Sequence, residues 1–181
     1  MIYPIEIYGS QILRNRSENI DSSYPDLEKL IEDMRLTLDV CEGVGLAAPQ
    51  IGKNIRLFIV DCIPWGEDHP ELREYRRVII NAEIYERSEE SSLFEEGCLS
   101  LPGLHERVSR PVAIRMRYMD ENFVEHDELF EGLPARVIQH EYDHLEGQVF
   151  TDHLAPLRRN LLKGKFQGFL KKKYRCHYKT K

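Results

Sequence analysis

Leu27, Leu30, Ile31, Met34 and Leu38 fall three or four positions apart, with acidic and basic residues between them. That period predicts an amphipathic helix of about four turns. Ser22, Ser23 and Pro25 give a start signal before it, and Gly43 a stop after it. Residues 1–23 carry no such period and read as irregular. RLFIVDCI at 56–63 is a short continuous apolar run, the pattern of a buried strand. A second strand is predicted at 77–86, RVIINAEIYE. Between them 64–76 is polar and holds Pro64 and Pro70, so it reads as a surface excursion with Trp65 and His69 as loop residues. Residues 88–92, SEESS, read as a polar turn.

PVAIRMRY at 111–118 alternates, with Val112, Ile114, Met116 and Tyr118 on one side and Arg115 and Arg117 on the other. This is a half-exposed antiparallel strand. Asp120 and Asn122 mark a turn, and FVEHDELF at 123–130 is the partner strand, with His126 facing solvent. Gly132 and Pro134 open a further helix that packs through Val137, Ile138 and Leu145 and ends at Gly147. A last helix is predicted from Pro156 to Lys173, with Leu157, Leu161, Leu162, Phe166, Phe169 and Leu170 as its apolar stripe. Gly164 and Gly168 weaken it by roughly 1 kcal/mol each relative to alanine. The basic tail, 171–181, is expected to fray, with Cys176 and His177 as bystanders.

The chain has 181 residues, 41% hydrophobic and 31% charged, which suits one folded domain over 1–181 with a sizeable core. A net charge of −6 argues against specific nucleic-acid binding. The four cysteines, Cys41, Cys62, Cys98 and Cys176, have no framework spacing, which favours a reduced, cytoplasmic protein. No signal-peptide pattern opens the chain, and no apolar run approaches the roughly 20 residues of a membrane span.

The chemistry concentrates in QHEYDHLEG, 139–147. On a helix His140 and His144 share one face, one turn apart, and can hold one metal ion. Glu141 sits beside them, placed to hold or deprotonate a water near the metal. Two histidines are half a tetrahedral site, and the pattern alone also occurs in ordinary helices. Two other stretches are unusual. GVGLAAPQIG, 43–52, is apolar but rich in glycine and proline, which excludes a good helix or a central strand. Read alone, it is a buried turn with Gln50 satisfied by backbone. EEGCLSLPG, 95–103, places Cys98 in a tight apolar segment, where a lone cysteine is ordinarily an inert small hydrophobe.

Together GVGLAAPQ (43–50), EGCLS (96–100) and QHEYDHLEG (139–147) resemble the ordered motifs of the peptide deformylase family. The resemblance spans most of the chain. It implies an α+β fold, with antiparallel β-sheets packed around a central HExxH helix and an N-terminal and a C-terminal helix. It implies Cys98, His140 and His144 as ligands of one divalent metal, Fe(II) in the cell, with Zn(II), Ni(II) or Co(II) in purified protein. It assigns Glu141 as general acid/base, and Gln50 and the Leu99 N–H as oxyanion donors. The backbone at Val44, Gly45 and Gly97 would pair with the peptide as an added strand. Val44, Phe94, Leu133, Val137 and the flank of His140 would line a methionine pocket, and Glu96 and Arg110 would form an ion pair. The implied substrates are N-formyl-methionyl nascent peptides, and the basic tail is a candidate for transient ribosome contact. The sequence departs from the pattern at His105, where some members carry arginine; Arg107 is a candidate substitute. Two rivals stand beside this reading. One is an HExxH zinc endopeptidase, which wants a downstream glutamate ligand. The other is a closed structural metal site, with His105 as the nearest fourth ligand.

Overall fold

The structure is a computed structural model that describes residues 1–181. The first predicted helix is α1 (Leu27–Cys41), and it buries Leu30, Ile31, Met34 and Leu38. Its end differs from the prediction by one residue. Glu42, not Gly43, is left-handed, with φ 55°, and the Gly43 N–H returns to the Leu38 carbonyl at 3.2 Å.

The chain then forms β1 (Gly45–Ala47) and a 3-10 turn, Ala48–Ile51. The glycine and proline pattern excluded a central strand, and β1 lies at a sheet edge, paired with β2 (Leu57–Asp61) alone. β2 is shorter than the apolar run that predicted it. It is apolar throughout because both of its faces are covered. Leu57 and Ile59 join Leu30, Met34 and Leu38 of α1 in one cluster. Phe58 and Val60 join Val137, Ile138 and Leu145 of helix α2 (Gly132–Leu145) in another. Each fully buried side chain of this size contributes about 1.5–3 kcal/mol. The alternation of one strand therefore fixes α1 and α2 on opposite faces of the sheet.

β3 (Arg76–Arg87), β4 (Ser91–Gly97), β5 (His105–Pro111), β6 (Ala113–Met119) and β7 (Glu125–Glu131) follow. A five-stranded sheet runs β1-β2-β3-β6-β7, and β4-β5 is a separate two-stranded sheet; every pairing is antiparallel. Asn81, at φ 54°, sits in a register shift between β3 and β6. Its amide bridges to Ile20 in both directions, accepting from the Ile20 N–H at 3.0 Å and donating to the Ile20 carbonyl at 2.7 Å. The predicted turn at 88–92 is shorter, because Ser91 and Ser92 begin β4. His126 is not simply solvent-facing; it stacks on Tyr118 at 5.0 Å and meets Asp120 at 2.9 Å.

The last helix is two. α3 (Pro156–Leu161) and α4 (Lys163–Leu170) meet at Leu162. The break turns Leu157, Leu161 and Leu170 to solvent, while Leu162 and Phe169 stay buried. The end of the tail is hydrogen-bonded to the N-terminal segment. The Ile5 N–H donates to the Lys179 carbonyl at 2.9 Å, and the Lys181 N–H donates to the Ile5 carbonyl at 3.0 Å. Lys181 Nζ also reaches Glu6 at 2.7 Å. No helix is long and apolar enough to cross a membrane.

Candidate metal centre and active-site cleft

α2 carries His140, Glu141 and His144, and packs on β1 and β2. Cys98 lies one residue beyond the end of β4. The turn after β4 brings the Cys98 thiol to the helix, so that its sulfur and one ring nitrogen each from His140 and His144 lie within 4.8 Å of one another. Cys98 Sγ and His144 Nε2 are 3.3 Å apart. A tetrahedral metal with arms of about 2.3 Å to sulfur and 2.05 Å to nitrogen would hold those atoms about 3.5 Å apart. The donor set therefore fits a divalent metal with an open fourth position. His105 is not in this group, and neither is any carboxylate.

The ring orientation of His140 is set from behind. Its Nδ1 donates to Glu96 at 2.9 Å, leaving Nε2 for the cluster. Glu96 also accepts Arg110 Nε at 2.6 Å and Nη2 at 2.9 Å, and Arg136 Nη1 at 3.1 Å. Arg110 in turn donates to Asp143 at 2.8 Å, and Asp143 pairs with His153 at 2.7 Å. Burial alone would push Glu96 up, but His140 and Arg110 hold it far below the ordinary carboxylate range. Burial likewise opposes the Cys98 thiolate, yet His144 and His140 bring that thiol down to about 5. The sulfur is thus a thiolate at neutral pH, the form that binds metal.

Glu141 is 4% exposed, and its Oε2 has no hydrogen-bond partner. Burial lifts its carboxyl to about 7, against the pull of the neighbouring imidazoles, which suits a proton carrier at neutral pH. Gly45 makes room for it: a Cβ there would come within 2.8 Å of the Glu141 Cγ and Cδ. Gln50 is also buried. Its Oε1 accepts the Ala47 N–H at 2.8 Å, and its Nε2 points to Cys98 Sγ at 3.6 Å and Ser100 Oγ at 3.3 Å. The backbone does hold the carbonyl end of Gln50, as a buried turn requires, but the donor end faces the cluster. The Leu99 N–H makes no hydrogen bond within the protein.

These groups line a cleft of about 490 Å³. Val44, just before β1, and Gly45 of β1 border it on one side, and Phe94 and Gly97 of β4 border it as well. β1 and β4 are both sheet edges, so an extended chain could lie between them. Val137 lines the cleft beside His140 and Glu141, while His144 sits behind them, fully buried. Leu133 is not on the cleft wall; it packs against the apolar cluster of α2 and the sheet. Arg107 is also absent from the wall, whereas His105 lines it opposite Gly97. Lining residues that carried no sequence signal as site residues include Trp65, Arg136, Cys176, His177 and Tyr178. Trp65 and the tail residues looked like loop and terminus because nothing local marks what they fold against.

The sequence model of polypeptide deformylase matches residues 2–160. The chain belongs to the polypeptide deformylase family. It is 44% identical to the peptide deformylase of Christiangramia forsetii, over all of this chain and 96% of that one. It is 42% identical to that of Cytophaga hutchinsonii, over all of this chain and 97% of that one. The structure is similar to the crystal structure of peptide deformylase from Thermus thermophilus, with a TM-score of 0.84 and 38% identity. That match covers 95% of this chain and 99% of the other.

Proposed function

We propose that the protein hydrolyses the formyl group from the N-terminal formyl-methionine of newly made polypeptides, releasing formate. The observation that carries this reading is the convergence of the Cys98, His140 and His144 ligand atoms within 4.8 Å, beneath a cleft between two sheet edges. Cys98, His140 and His144 would hold one divalent metal, which, when bound, supplies a Lewis acid that lowers the pKa of water toward about 7. Fe(II) is the proposed metal in the cell; Zn(II), Ni(II) and Co(II) suit the same mixed thiolate and imidazole donors.

Glu141 takes the proton of the attacking water and later delivers it to the leaving amine nitrogen. Gln50 Nε2 and the Leu99 N–H donate to the formyl oxygen as it gains charge. The backbone of Val44, Gly45 and Gly97 holds the peptide as an added strand. Val44, Phe94, Val137 and the flank of His140 take the methionine side chain. The narrow space by Gly45 and Glu141 admits a carbon that bears only hydrogen and rejects acetyl.

Neither rival has an observation in its favour. A thermolysin-like HExxH endopeptidase needs a carboxylate ligand, and a closed structural site needs a fourth protein ligand; the cluster contains neither. We place the reaction in the cytoplasm, where nascent chains are made. Ribosome contact through the tail would fall to its exposed Lys171–Lys173, since 179–181 are engaged with Ile5 and Glu6. The test is an assay of metal-loaded protein on formyl-Met-Ala-Ser, acetyl-Met-Ala-Ser and casein. Formate should appear with one new amine from the first alone. Casein cleavage without formate release would overturn the reading.

A further inference from the structure

The loop that carries Cys98 and Leu99 is a β-turn, closed by the Leu101 N–H donating to the Cys98 carbonyl at 3.0 Å. Leu99 and Ser100 are its central residues. Such a turn has one soft degree of freedom, a flip of the peptide between its two central residues, which interconverts types I and II. Here that peptide carries the Leu99 carbonyl and the Ser100 N–H. A flip would drive Ser100 toward positive φ, a region no residue of this turn occupies. It would also swing Ser100 Oγ away from Gln50 Nε2, now 3.3 Å from it.

One group holds the Leu99 carbonyl. The Tyr178 hydroxyl donates to it at 2.8 Å, from a position 79 residues along the chain. The neighbouring Ser100 carbonyl is held separately, by the Tyr8 N–H at 2.8 Å. Tyr178 is itself fixed. It packs against the core that includes α1, and the backbone bridge between Ile5 and Thr180 follows two residues later. The segment Arg175–Tyr178 lines the cleft beside Leu99 and Glu42.

We propose that Tyr178 is a positioning residue for deformylation: its hydroxyl locks the Leu99–Ser100 peptide, which keeps Ser100 Oγ against Gln50 Nε2 and so holds the Gln50 amide aimed at the same oxygen as the Leu99 N–H. Tyr178 touches neither the metal ligands nor the reacting atoms, and the proposal rests on Leu99 and Gln50 being the oxyanion donors. The tail is then a working part of the site, although it lies outside the stretch of the chain that the family's sequence model matches.

Tyr178→Phe keeps the ring and removes the hydroxyl. On formyl-Met-Ala-Ser its kcat should fall about tenfold, a fraction of the roughly 10²–10³ that outright loss of an oxyanion donor costs. KM should stay within about twofold, because the peptide's strand pairing is untouched. Metal content should match wild type. Wild-type kcat in the folded, metal-loaded variant would overturn the proposal, as would a loss confined to KM or to metal content. Should Tyr178→Phe not fold, Tyr178→Trp carries the same prediction, since its indole N–H cannot occupy the hydroxyl's place. A wild-type protein that releases no formate would instead defeat the deformylase reading itself, so the two failures are distinguishable.

Discussion

Replacing Glu96 with glutamine probes how the metal site is held from behind. Glu96 is 6% exposed and accepts four hydrogen bonds, two from Arg110 and one each from Arg136 and His140. Glutamine has the same shape but one oxygen fewer. If its NH₂ replaces Oε1, it faces Arg110 Nε and Arg136 Nη1; if it replaces Oε2, it faces Arg110 Nη2 and His140 Nδ1. Either way two donors meet a donor, and Arg110, 3% exposed, keeps a charge balanced only by Asp143. Breaking a buried pair in this way costs about 3–5 kcal/mol. For a chain of this size each kcal/mol moves Tm by about 2–4 °C, so Glu96→Gln should melt about 6–20 °C lower. In the second orientation the His140 ring also loses its orienting acceptor, which should weaken metal binding by about 10–100-fold. Thermal melts with bound metal held constant, and chelator competition, measure the two effects separately. Wild-type Tm together with wild-type metal affinity would refute the network as the site's support.

Three further outcomes follow from the same geometry. Gly45→Ala places a methyl against the buried Glu141 side chain and should cut kcat by about 10²-fold, in line with the usual worth of a general base, at an overpacking cost of about 1–3 kcal/mol in stability; an unaltered kcat would remove the steric argument. Gln50→Leu should lower kcat by about 10²–10³ while metal content is kept, and a loss seen only in KM would take Gln50 out of the oxyanion site. Stability should also depend on acid. Burial pushes Asp143 up, but His153 and Arg110 outweigh it and hold it below the usual range, as their counterparts do for Glu96. Both carboxyls therefore bind protons more readily unfolded than folded. Their contribution is fully present above about pH 4.5 and is lost as pH falls further, so Tm should drop steeply between about pH 4.5 and 3; a flat Tm there would contradict the assignment.

Much of the fold was legible because its determinants are local. The stripe of α1 and the apolar run of β2 each stated their own burial. β5 was not legible, because its buried positions Glu106 and Arg110 are charged and satisfied by Arg158 and Glu96, so the alternation reads as polar. The last helix misled because its stripe runs unbroken in sequence through Leu162, where the backbone turns. The tail's anchor, Ile5, lies at the other end of the chain, and no local pattern announces a contact of that reach. In the site, Cys98, His140 and His144 stood out by residue type and spacing. Arg136, Asp143 and His153 did not, since a helical arginine or aspartate is ordinarily a solvated face.

The central claim is that one cluster of Cys98, His140, His144 and Glu141 deformylates peptides. The most direct measurement is formate release from formyl-Met-Ala-Ser by wild type and Glu141→Gln at matched metal content, purified without oxygen. The account predicts one metal per chain in both proteins, turnover in wild type, and at least an approximately 10²-fold lower rate in the variant. Equal rates in the two would contradict it.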